Sequence, residues 1–161
     1  MAQRRLQILP YTVARWAIIG KTSVRWPKQR EMLAQPLHSE PAIAEIVHQV
    51  QQSGAGEGWS ALWGKIHVPG LGPAFGTKLL YFAGYKNCVN GLRPLVLDAN
   101  VRRPLNGPEA GLTAKIKNHR ADYERYLHLA EAWYNDHSRN GSPEIVEFAL
   151  FKPGKELAKA E

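Results

Sequence analysis

The sequence predicts an all-α fold, a helical bundle of six or seven helices that contains a helix–hairpin–helix motif. Three observations predict it. Apolar residues recur at the i, i+3, i+4, i+7 spacing of a helix in segment after segment. Two of those segments meet at a bend rich in glycine and proline, Val68-Pro69-Gly70-Leu71-Gly72-Pro73. The one aliphatic run that could make a strand, Leu95-Val96-Leu97, has no partner strand and reads as a buried extended segment.

Each element follows from its own residues. Residues 1–38 are strongly basic (Arg4, Arg5, Arg15, Lys21, Arg25, Lys28, Arg30) and punctuated by Pro10, Pro27 and Pro36; they read as a loose arm or one or two short helices. A domain follows over 39–152. Pro41 suits a first helical position, and Ile43, Ile46, Val47 and Val50 form one stripe that Gly54 and Gly56 stop. Trp59, Leu62, Trp63 and Ile66 repeat the spacing, which makes the tryptophans core residues. After the bend, Phe75, Leu79, Leu80, Phe82 and Ala83 are apolar almost all round, so the helix from about Phe75 to Tyr85 should be central and buried. Asp98 is placed to cap a short helix Ala99–Leu105. A long helix is expected from about Thr113 to His137, with Ile116, Tyr123, Leu127, Ala130 and Tyr134 inward, ended by Asn140-Gly141. Ser142 and Pro143 start a last short helix with an apolar end at Phe148, Leu150 and Phe151. Pro153-Gly154 should stop it and leave 153–161 as an exposed tail.

Composition narrows the function. The chain has 161 residues, 21 Lys and Arg against 14 Asp and Glu, and a formal net charge of +7. With a pI near 9.7, an anionic partner is favoured, nucleic acid or a membrane surface. The single cysteine, Cys88, excludes an internal disulfide, a four-cysteine cluster and a thiolate-rich zinc site. No apolar run approaches the roughly 20 residues that span a bilayer. The expectation is an intracellular, cytoplasmic, nucleoid-associated monomer that needs neither metal nor cofactor.

The bend carries the chemistry. Glycines let its backbone approach another surface closely. A helix starting there points N–H groups and a positive dipole end outward, which suits a phosphate. Lys78 sits in the first turn of that helix, and Asp98 follows twenty positions later, after a link containing Gly91 and Pro94.

These residues resemble the helix–hairpin–helix/Gly-Pro-Asp superfamily of DNA glycosylases, and Gly76-Thr77-Lys78 looks most like its 8-oxoguanine branch, in a small bacterial-type form. Val68-Pro69-Gly70-Leu71-Gly72 matches the hairpin, Lys78 the catalytic lysine, and Asp98 the aspartate that comes about twenty residues later. The resemblance is specific over 59–105 and topological over 106–151. Pro73-Ala74-Phe75-Gly76 intervenes before Thr77-Lys78, so the working turn lies either at Gly70–Gly72 or at Gly72–Gly76. Phe82 stands where eukaryotic-type enzymes have a cysteine under the flipped base.

The resemblance implies an oxidised-purine glycosylase with abasic-site lyase activity on double-stranded DNA holding a damaged base, which is flipped out. Lys78 would attack the sugar C1′ and form a Schiff base, and Asp98 would offset the charge that builds on the sugar. Gly70, Gly72, Gly76, Thr77 and Arg102 would hold DNA phosphates. Phe82, Phe151 and Trp133 are weaker candidates for a base pocket, each also suited to core packing. Two other readings fit the same residues: a non-catalytic helix–hairpin–helix DNA-binding module, and a defence-system subunit in which the fold is structural.

Overall fold

In a computed structural model, residues 36–65, 71–137 and 142–160 are described. Among them lie six α-helices and no strand, an all-α bundle. In chain order these are α1 (Pro36–Ser53), α2 (Ala55–Ser60), α3 (Pro73–Gly84), α4 (Ala99–Leu105), α5 (Arg120–His137) and α6 (Glu144–Ala160). A π-helical turn, Ala61–Lys65, prolongs α2, and a 3-10 turn, Pro108–Ala110, follows α4. The basic arm as far as residue 35, Gly70 with most of the hairpin, and Asn140-Gly141 lie outside the described residues.

The apolar stripes build the core as their spacing requires. Ile43, Ile46, Val47 and Val50 of α1 are all buried, and they meet Leu79 and Leu80 of α3 and Tyr123, Tyr126 and Leu127 of α5 in one cluster. Trp59 stacks between Trp63 and Tyr123, with ring centroids 4.0 and 4.7 Å away. Two glycines hold the loop before the site against the α1–α2 junction. Gly54 and Gly91 have φ of +87° and +77°, open to glycine at little cost. A Cβ on either would sit within 3 Å of a carbonyl of the other segment. The Ala55 N–H donates to the Leu92 carbonyl at 2.9 Å across this contact.

Four boundaries differ from the expectation, each for a physical reason. The first helix begins at Pro36, so Pro41 lies inside it rather than at its start. The long helix begins at Arg120 and not Thr113. Ile116, buried as expected, gives its backbone groups to the Asn106 side chain (2.7 and 3.0 Å), and Lys117 N–H goes to Asp122 at 3.1 Å, so neither feeds a helical ladder. On α3, Leu79, Leu80 and Ala83 are buried, but Phe82 is 55% exposed, so the helix has an open face. The last helix runs through Pro153-Gly154 to Ala160. Gly154 is where α6 crosses α4: a Cβ there would lie 1.6 Å from the Asn100 carbonyl oxygen, so only glycine permits the approach. Phe148, expected to be an apolar end of that helix, is 75% exposed. No described helix is long and apolar enough to cross a membrane.

Candidate active site

The site is organised by the extended segment Leu95-Val96-Leu97, whose side chains are buried. Buried backbone N–H and C=O groups need partners, and no neighbouring strand supplies them. Side chains from three helices do so instead. Tyr123 and Tyr126 of α5 donate their hydroxyls to the carbonyls of Leu95 (2.7 Å) and Val96 (3.2 Å). The Val96 N–H donates to Glu147 Oε2 of α6 at 2.8 Å. The Leu97 N–H donates to Thr77 Oγ1 of α3 at 3.1 Å, while the Thr77 hydroxyl donates back to the Pro73 carbonyl at 3.0 Å. The backbone entering Asp98 is therefore clamped from three sides.

Asp98 divides its carboxylate between two tasks. Oδ1 accepts from the N–H groups of Asn100 (2.9 Å) and Val101 (3.1 Å), which caps α4. Oδ2 faces Lys78 Nζ at 3.9 Å. That separation makes an ion pair and not a hydrogen bond. The attraction at such a distance is about 1 kcal/mol in water and about 4 kcal/mol near a protein surface. The amine is thus held loosely enough to move toward a reactant. Lys78 is 32% exposed and Asp98 12%, which leaves an accessible amine over a sheltered carboxylate. The Lys78 amine also lies 5.6 Å from the centre of the Phe75 ring.

Beside this pair stands a second carboxylate that the sequence reading did not single out. Burial pushes the Glu147 carboxyl up to about 7; the Val96 N–H and Lys78 pull against that rise, and Asp98 and Glu144 add to it. Its signal in the sequence is faint: Glu147, Leu150 and the buried Gly154 fall at i, i+3, i+7 on the inner face of α6. Nearby, the Tyr81 hydroxyl of α3 donates to Glu144 Oε1, a further tie between α3 and α6.

The other sequence-derived candidates separate into those near the pair and those with different duties. Gly72 is exposed at the N-cap of α3, which no side chain caps, and among the described residues no atom lies within 4 Å of where its Cβ would be. Its lack of a side chain leaves room for something outside the fold. Gly76 and Thr77 do not present themselves to a phosphate. The Gly76 N–H already donates to the Gly72 carbonyl at 2.8 Å, and a Cβ there would strike Leu62 and Trp63 at 2.4 and 2.6 Å, so Gly76 serves helix packing. Thr77 is fully buried and braces Leu97. Arg102 is half-buried and its guanidinium donates to the Asn118 side chain. Phe82 lies one turn beyond Lys78 on α3, exposed, its ring edge-on to Tyr81 at 5.2 Å. Phe151 is 37% exposed on α6, and Trp133 packs against the core from α5. Gly70 lies outside the described residues.

Comparison with known proteins gives one finding. The family described as "Putative 8-oxoguanine DNA glycosylase OGG-like protein" matches residues 9–151. No curated protein and no solved structure matches the chain.

Proposed function

Since the chain belongs to this 8-oxoguanine DNA glycosylase OGG-like family, we propose that it is a DNA base-excision glycosylase with abasic-site lyase activity, acting on an oxidised purine such as 8-oxoguanine. One observation carries the proposal: the Lys78 amine and the Asp98 carboxylate, from separate elements, face each other at 3.9 Å with the amine accessible. A lysine used only to hold a phosphate has no need of a clamped aspartate behind it.

The chemistry follows from that pair. The target base is flipped out of the duplex so that its sugar C1′ can be reached. The Lys78 amine attacks C1′, and the glycosidic bond breaks with its electron pair leaving on the base. Positive charge develops on the sugar as the bond breaks, and the Asp98 carboxylate offsets it from a fixed position. The sugar then opens to an imine on Lys78. Loss of a C2′ proton expels the 3′ phosphate, so strand cleavage accompanies base removal. Uncapped N–H groups at the start of α3, beside the exposed Gly72, hold a phosphate without reading sequence.

Borohydride added to the protein with an 8-oxoguanine duplex tests this. The native chain should leave a covalent protein–DNA adduct, and Lys78→Gln should abolish it while still binding duplex. Duplex binding with no adduct from the native chain would favour a non-catalytic DNA-binding module.

A further inference from the structure

Resting on the glycosylase reading above, we propose that Glu147 is the proton acceptor for Lys78: its carboxylate removes the ammonium proton and delivers the amine as a free nucleophile. An amine attacks carbon only when its lone pair is free, so a lysine nucleophile requires an adjacent group to take its proton. Asp98 is ill suited to that task, because one of its oxygens is occupied by two backbone N–H groups of α4 and its charge serves the sugar. Glu147 is free of both duties.

Three structural facts support the assignment. Its Oε2 is fixed by the Val96 N–H at 2.8 Å, and its other oxygen makes no hydrogen bond among the described residues. Its carboxyl lies within electrostatic reach of both Lys78 and Asp98. It comes from α6, so the site is completed only when that helix is seated, with Gly154 against Asn100. The groups that face it are Lys78 and Tyr81 from α3, Asp98 from the start of α4, Tyr123 and Tyr126 from α5, and Glu144 from its own helix. Lys78 is the one cation among them, set against three carboxylates. With its carboxyl raised by burial to about 7, Glu147 is divided between its acid and base forms near neutral pH, the condition for efficient proton transfer.

The step balances. Lys78 ammonium and Glu147 carboxylate become Lys78 amine and Glu147 carboxylic acid. The freed lone pair forms the bond to C1′, and the electron pair of the bond that breaks leaves on the base. Glu147 then passes its proton to water, which restores the carboxylate, and the departing base anion takes a proton from water.

Single-turnover trapping on a duplex with one abasic site, run from pH 5 to 9, tests the assignment with native protein, Glu147→Gln, Glu147→Asp and Lys78→Gln. Glutamine keeps an acceptor for the Val96 N–H but cannot take a proton. A base is active when ionised, so the native rate should rise with pH through about 7. Glu147→Gln should lower the rate at pH 7 by about 10²-fold and flatten that rise, with duplex binding unchanged; Glu147→Asp should restore part of both. A Glu147→Gln protein that traps at the native rate, with the same pH rise, overturns the assignment and leaves Glu147 as a brace for Val96. If Glu147→Gln melts lower than native, the native profile decides: a rate flat between pH 6 and 8 overturns it. A native chain that forms no Lys78-dependent adduct at any pH overturns the glycosylase reading itself, and this assignment with it.

Discussion

A single carboxylate shows how one residue can serve structure and chemistry together. Asp98 caps α4 through Oδ1 and faces Lys78 through Oδ2, so neither use competes with the other. Asparagine is as good an N-cap as aspartate but carries no charge. Asp98→Asn should therefore leave the unfolding midpoint near native. It should slow base release about 10²–10³-fold, as expected when fixed electrostatic stabilisation is removed. Release rate and duplex affinity, measured side by side, check this; equal losses in both would reduce Asp98 to a cap. Lys78 and Asp98 were legible in the sequence because the bend marks a helix start and their spacing is local. Glu147 was not, since it lies 51 positions from Val96 and only the seating of α6 brings the two together.

At the scale of the element, the segment Leu95-Val96-Leu97 is the hinge of the account. Three consecutive aliphatics revealed that it was buried and extended. They could not reveal which groups would satisfy its backbone, because Thr77, Tyr123, Tyr126 and Glu147 come from three separate helices. Thr77→Val keeps the shape of the side chain but leaves the buried Leu97 N–H without an acceptor. Such a loss costs about 1–3 kcal/mol. Denaturant unfolding should show a shift of that size, together with slower adduct formation as Asp98 loosens. Stability within about 0.5 kcal/mol of native would mean that the hydroxyl is no brace. The same limit of local reasoning explains α6. Pro153-Gly154 is a stop signal by propensity, yet the chain stays helical because Gly154 is needed where α6 crosses Asn100. The start of α5 was misread for a matching reason. Ile116 fits the helical stripe, but the Asn106 side chain takes its backbone groups.

For the whole molecule, the all-α class and the core were legible because helical stripes are periodic, and periodicity survives without knowledge of tertiary contacts. Ile46, Val50, Leu79, Leu80 and Leu127 are all essentially inaccessible, as their spacing requires. The mutual placement of the helices was not legible. It rests on close approaches at Gly76 and Gly154, and on side chains that reach across elements. The net charge of +7 pointed to an anionic partner without saying which one. Family membership over residues 9–151 narrows that partner to DNA, and the central claim is that Lys78 forms the bond to it. Trapping the native protein on a damaged duplex with borohydride, digesting it and mapping the DNA-bearing peptide by mass spectrometry tests that claim directly. The account predicts the sugar remnant on Lys78; attachment to any other lysine, or no adduct across a panel of oxidised purines, would contradict it.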